Sequence, residues 1–120
     1  MEGCGRAAPR ALPGTSVRFR RARFGEVIDR QLDLFVREHG DVIEESNEKL
    51  RLYNAADRDE AEEAYGDYLD AVETGTEILA DLRDSFAQTL GEQEAEGYLA
   101  EFDRAVSKRL PEYALEIENR

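Results

Sequence analysis

The feature that most constrains the fold is a pair of long helical patterns, residues 24–54 and 57–90, separated by Ala55-Ala56. In the second pattern, apolar and small residues recur in steps of three and four: Ala61, Tyr65, Tyr68, Val72, Gly75, Leu79, Leu82, Phe86 and Leu90. Steps of this kind place all the side chains along one side of an α-helix. Because a short connection makes neighbouring helices antiparallel, the two patterns predict a helical hairpin.

A third helical pattern follows Gly91 and ends before Pro111, which cannot continue a helix smoothly. Residues 112–118 fit either a short helix or an extended tail, and both interpretations stay open. We therefore predict an all-α fold over residues 23–120: an antiparallel three-helix bundle built on a long helical hairpin, with a short C-terminal segment.

Gly40 lies in the middle of the first pattern and allows two interpretations. Within a continuous helix, this glycine costs about 1 kcal/mol relative to alanine. Alternatively, the helix ends at His39-Gly40-Asp41 and a new one begins there. We predict a continuous helix because Ile28, Phe35 and Val42, spaced by seven residues, keep the same phase across the glycine.

The hairpin also predicts which residues face each other. With a turn centred at residues 55–56, the positions that face one another across the hairpin sum to about 111, which places Phe35 opposite Gly75. A large ring against a glycine is a favourable packing match. The third helix is shorter than the first two, so the end of the hairpin near Leu50, Tyr53 and Ala61 is expected to be left partly uncovered. Either the C-terminal tail or a partner chain is expected to cover it, and we expect a homodimer.

Charge is distributed unevenly along the chain, which has a net charge of −12. Residues 1–23 contain six arginines and one acidic residue, whereas the remainder contains ten basic and twenty-seven acidic residues. Residues 1–22, rich in Pro and Gly, are predicted to be a disordered basic arm. The alternative is that the native chain begins further along, for example at Val17. The acidic body disfavours binding to nucleic acid or to anionic membranes, so neither is an expected partner.

Cellular location is predicted from what the sequence lacks. Cys4 is the only cysteine, so no disulfide can form within the chain. No stretch reaches the length of a membrane span, and the amino terminus has no apolar signal region. We expect a cytoplasmic protein.

Candidate site residues are few. His39, the only histidine, is placed by the predicted packing near Thr76 and Arg109, with Tyr68 on the same face. These four residues form an alternative hypothesis, a site for a small ligand or a metal. The chain has no Glu-x-x-His motif, zinc-binding spacing, phosphate-binding glycine loop or Ser/His/Asp arrangement. We therefore expect no enzyme activity, resident metal or cofactor, and our leading hypothesis is a protein–protein interaction or self-associating structural module.

Overall fold

The structure, a computed structural model, describes residues 23–120. This part of the chain folds into five α-helices and one 3₁₀ turn and contains no β-strand. The elements are α1 (Gly25–Glu38), α2 (Gly40–Ala55), α3 (Ala61–Ala87), α4 (Glu92–Arg109), the 3₁₀ turn (Pro111–Tyr113) and α5 (Ala114–Glu118). The shape is elongated, with extents of 72 × 32 × 24 Å. The predicted all-α fold class is confirmed.

Helices α2 and α3 form the hairpin, and they make the most extensive helix–helix contact in the described chain. Their connection is longer than predicted, because residues 58–60 form a turn before α3 begins at Ala61. Asp57 stabilises this turn by accepting a hydrogen bond from the Glu60 backbone N–H at 3.1 Å. The predicted facing positions are therefore wrong. Tyr53 packs against Tyr65, with ring centroids 5.1 Å apart, whereas the prediction placed it opposite residue 58.

The predicted continuous first helix is also wrong, because the helix is interrupted at His39. This residue has φ −123° and ψ 35°, outside the helical region, and it serves as the last cap of α1 and the first cap of α2. The interruption leaves few backbone groups unpaired. The His39 N–H donates to the Phe35 carbonyl at 2.8 Å, and the His39 carbonyl accepts from Val42 at 3.0 Å. Beyond the break, Ile43 packs against the core, whereas Val42, which continues the seven-residue row of Ile28 and Phe35 in the sequence, is not among the core residues.

A C-terminal layer, comprising α4, the 3₁₀ turn and α5, covers α1 and the C-terminal half of α3. The hydroxyl of Tyr98 on α4 donates to Gln31 Oε1 on α1 at 2.9 Å, which joins the layer to the first helix. Residues from all of these elements form one hydrophobic core: Ile28, Leu32, Phe35, Val72, Leu79, Ala80, Tyr98, Phe102, Val106, Leu110, Tyr113 and Ile117. The C-terminal segment is thus helical, and two of its side chains belong to the core.

Tyr113, rather than Phe35, occupies the space beside Gly75. A Cβ atom at Gly75 would lie 2.5 Å from Tyr113 Cε1, so only glycine allows the ring to approach this closely. Phe35 instead packs edge-on against Tyr113, with ring centroids 5.9 Å apart. The Tyr113 hydroxyl is 3.0 Å from the hydroxyl of buried Ser46 on α2. The match between a ring and a glycine was predicted, but the ring comes from the C-terminal segment.

The remaining predictions about the fold concern the basic arm at the amino terminus and the absence of a membrane span. Residues 1–22, predicted as a disordered arm, lie outside the described residues, so that prediction stays untested. Within residues 23–120, no helix combines the length and the hydropathy needed to cross a membrane.

Candidate interaction surface

The two ends of the hairpin differ in how they are covered. We define the open end as residues 47–70, which include the last turns of α2 and the first turns of α3. Three large apolar side chains are exposed there: Leu52, Tyr65 and Leu69, at 49%, 45% and 40% of their full accessible area. Tyr113, where the C-terminal layer turns over α3, contacts the hairpin at the level of Ser46 and Gly75. The tail therefore leaves the predicted uncovered end open.

The exposed residues of α3 continue two rows of side chains that are buried further along the same helix. Tyr65, Val72 and Leu79 are spaced by seven residues, as are Leu69, Thr76 and Arg83. Residues separated by seven positions lie on nearly the same side of an α-helix. The later members of both rows are at most 4% exposed, whereas Tyr65 and Leu69 are almost half exposed. The open end therefore presents the kind of face that the C-terminal layer covers elsewhere.

Three tyrosines form an aromatic cluster at the open end. The ring of Tyr65 lies 5.1 Å from that of Tyr53 and 6.4 Å from that of Tyr68. Burial raises the pKa of the Tyr68 hydroxyl, and the nearby charges of Glu112 and Tyr65 raise it further. Because Glu112 belongs to the 3₁₀ turn, Tyr68 marks the boundary between the covered and the open parts of α3. The cluster gives the open end a rigid apolar surface with hydroxyl groups at its edge.

Acidic residues outnumber basic residues in the open end. Residues 47–70 contain eight acidic and three basic side chains. Two of the basic groups pair within α2: Lys49 Nζ lies 3.7 Å from Glu45 Oε2, and Arg51 pairs with Glu48. On α3, exposed Glu62 precedes Tyr65 by one helical turn. The open end therefore combines exposed apolar side chains with an excess of negative charge.

A shallow groove of about 580 Å³ lies between α2 and α3. Asp41, Glu45, Lys49, Asp67 and Asp70 supply its polar lining. No group of three or more His, Cys, Asp or Glu side chains within residues 23–120 is arranged to hold a metal ion. The groove thus has negative charge but not the convergent ligands that a metal requires.

The four residues of the ligand hypothesis occupy different surroundings. Half-buried His39 packs against the Phe35 ring, with centroids 5.7 Å apart. Thr76 is fully buried and donates to the Val72 carbonyl at 2.8 Å. Exposed Arg109 pairs with Asp33 on α1, and Tyr68 lies at the edge of the aromatic cluster. None of the four lines the groove between α2 and α3, so the ligand hypothesis stays a prediction without a shared cavity to support it.

Sequence analysis missed a buried ionic cluster around Arg83, whose side chain is 5% exposed. Its guanidinium donates to Asp84 on the same helix, to Asp103 on α4, and to the Ile117 carbonyl on α5 at 3.0 Å. Burial lowers the pKa of Arg83, but the hydrogen bonds to Asp84 and Asp103 outweigh that effect and raise it overall. The sequence contains a signal for this cluster: Arg83 lies seven residues after Thr76 in the row that begins at Leu69, which places a charged residue on the buried side of α3. The cluster fastens α5 to the bundle through the bond to the Ile117 carbonyl.

Comparisons with known proteins add no functional information: no protein-family model matches the chain, and searches of curated proteins and of solved structures found no match. The candidate interaction surface therefore rests on the geometry and charge of the described residues.

Proposed function

We propose that the protein is a protein–protein interaction module whose open end receives a helix of a partner protein. The observation that carries this proposal is the pair of seven-residue rows on α3. The later residues of the rows are buried: Val72, Leu79, Thr76 and Arg83. The first residue of each row, Tyr65 or Leu69, is exposed. A helix placed beyond the C-terminal layer would cover both side chains in the manner in which that layer covers Val72 and Thr76.

The energetics support this proposal. Complete burial of a large apolar side chain stabilises by about 1.5–3 kcal/mol, so covering side chains that are almost half exposed contributes roughly 1 kcal/mol each. The aromatic cluster has the properties of a binding hot spot, because tyrosine rings supply a large contact area and have few rotatable bonds. Contiguous apolar surface bordered by polar residues is typical of interaction sites in proteins of this size.

Photo-crosslinking from single positions tests the proposal directly. Tyr65→p-benzoylphenylalanine places a photoreactive group in the open end. As a matched control, Glu26→p-benzoylphenylalanine places the same group at an exposed position on α1. After irradiation in cells that produce the protein, we expect discrete covalent protein adducts from position 65 that are absent from position 26. An adduct of twice the chain mass would identify the partner as a second copy, as the homodimer prediction requires.

Equal crosslinking from the two positions would contradict the proposal. If positions 65 and 26 give the same adducts in the same yield, the open end has no preference for protein partners, and the proposed function fails. Circular dichroism of both variants would verify that neither replacement unfolds the chain, because the helical signal at 222 nm must match that of the unmodified protein.

A further inference from the structure

The charge around the open end identifies the chemistry of its partner. We infer that the partner is a positively charged amphipathic helix, with apolar side chains along one side and Lys or Arg along its borders. This inference rests on the proposed function and adds to it the class of partner. Three features carry it: the shape of the uncovered face, the carboxylates at its border, and the repulsion that two acidic open ends would experience in a homodimer.

The uncovered face has the dimensions of a helix-binding surface. On α3 it extends from Ala61 to Asp70, ten residues or ~15 Å at the helical rise. The last turns of α2 run beside it, where Tyr53 contacts Tyr65. Two antiparallel helices leave a shallow channel between them, into which a third helix packs its side chains. Further along α3, the C-terminal layer packs against α3 and α1, so a partner helix would use the side of α3 that the layer uses, with α2 in place of α1 as the second neighbour.

Carboxylates border the apolar residues at helical spacing. Glu62 lies three residues before Tyr65, and Glu73 lies four residues after Leu69, so each is a neighbour on the helix surface. Both are exposed. A bound helix with Lys or Arg at its borders would bring opposite charges to these carboxylates, which favours the encounter and fixes the orientation. Guanidinium groups would also lie favourably over the tyrosine rings of the cluster.

A second copy of this chain is a poorer fit to the same surface. Two open ends, each with a net charge of −5 over residues 47–70, would approach with like charges around the contact. Like charges placed opposite each other across an interface are unfavourable by amounts that exceed the gain from one exposed tyrosine. The charge argument therefore favours a basic partner over the homodimer, and the experiment below distinguishes the two.

The test uses a labelled synthetic peptide of about 18 residues, ~27 Å long as a helix, composed of Leu, Ala and Lys with leucines in steps of three and four. A peptide of identical composition with its leucines scattered tests amphipathicity, and one with Glu in place of Lys tests charge. Fluorescence anisotropy with the full chain measures the dissociation constants. We expect the amphipathic basic peptide to bind at least about tenfold more tightly than either control peptide, which corresponds to about 1.4 kcal/mol.

Variants locate the binding site. Tyr65→Ser combined with Leu69→Ser should weaken binding of the basic peptide by about tenfold or more. Glu62→Gln combined with Glu73→Gln should weaken binding and reduce its dependence on salt concentration. Leu115→Ser is the matched control, because Leu115 is the most exposed large apolar residue in the described chain and lies on α5. It should leave the affinity unchanged.

Four results would overturn the inference: equal affinity for the scattered peptide, equal affinity for the Glu peptide, equal affinity of the Tyr65/Leu69 variant, or a loss of binding in the Leu115 control as large as in that variant. A fifth separates this inference from the proposed function. If the chain sediments as a dimer that Tyr65→Ser dissociates, or if crosslinks from position 65 reach only acidic or self partners, protein contact through the open end stands and the basic partner is excluded.

Discussion

The two halves of α3 carry the same pattern but differ in what covers them. In the C-terminal half, Leu79 and Arg83 are buried beneath α4 and α5. In the N-terminal half, Tyr65 and Leu69 occupy equivalent helical positions and are exposed. The difference arises from the length of the C-terminal layer, not from the sequence of α3. A continuous apolar pattern therefore shows where a helix is able to pack, whereas the lengths of its neighbours determine where it does pack.

The largest expected difference between the two halves is in the loss of stability caused by the same truncation, leucine to alanine, in each half. Leu79→Ala should destabilise the protein by about 2–5 kcal/mol, because Leu79 is fully buried and its loss leaves a cavity. Leu69→Ala should cost less than about 1 kcal/mol, because water already reaches much of its side chain. Urea unfolding followed by circular dichroism at 222 nm measures both values. Equal losses of stability would show that the open end is covered in solution.

Removal of the buried arginine should have the next largest effect. Arg83→Ala should destabilise by about 3 kcal/mol, because it leaves the Asp103 carboxylate, whose side chain is only 23% exposed, without its ionic partner. It also removes the donor to the Ile117 carbonyl, so α5 should become the most rapidly exchanging helix in hydrogen-exchange measurements.

The matched control is Arg109→Ala, which removes the exposed pair with Asp33 and should change stability by less than about 1 kcal/mol. If α5 keeps its protection from exchange in the Arg83 variant, the arginine does not fasten the C-terminal segment.

Sequence reasoning succeeded where the evidence was local to one helix. The pattern of α3 and the end of α4 before Pro111 follow from periodicity and from proline chemistry. Sequence reasoning failed to predict which residues of neighbouring helices pair, because that pairing depends on the connections between the helices. The added turn at residues 58–60 changed which residues face each other across the hairpin. Beyond the break at His39, Ile43 packs against the core in place of Val42.

The candidate surface was predicted in part. The unequal lengths of the helices indicated a partly uncovered end near Leu50 and Tyr53. Within residues 23–120 these two side chains are partly buried, and the exposed large apolar side chains of that end are Leu52, Tyr65 and Leu69. The exposed pair Tyr65 and Leu69 was not recognised, because a row of apolar residues does not reveal which members are covered. The role of Tyr113 was missed for a related reason: its contact with Gly75 joins residues distant in sequence, and no local pattern encodes it.

Two glycines of α3 provide a comparison with a smaller expected effect. Gly75→Ala should destabilise by about 1–3 kcal/mol, because the added methyl group would overlap the buried ring of Tyr113. Gly66→Ala should instead stabilise by about 0.5–1 kcal/mol, since nothing lies within 4 Å of a Cβ atom there and alanine favours the helix. Urea unfolding of both variants gives the signs, and a gain of stability from Gly75→Ala would contradict the proposed packing of Tyr113.

The smallest expected effect is the pH dependence contributed by Asp103. Burial raises the pKa of this carboxyl above its usual value of 3.8, and Arg83 lowers it without cancelling that effect, while Glu118 and Asp84 raise it further. The folded protein therefore binds this proton at a higher pH than the unfolded chain does. The contribution of Asp103 to stability consequently falls as pH rises through its raised pKa and is fully restored below the unfolded value.

Asp103→Asn should remove that contribution to the pH dependence. We expect the free energy of unfolding of the unmodified protein, relative to the variant, to increase as the pH is lowered from 7 toward 4, with urea titrations at each pH as the measurement. Exposed Asp81→Asn controls for the general loss of a negative charge from an acidic chain. A relative stability that decreases on acidification would mean that the ion pair with Arg83 outweighs burial. The covered half of α3 would then be stabilised mainly by charge, and its difference from the open end would not be one of packing alone.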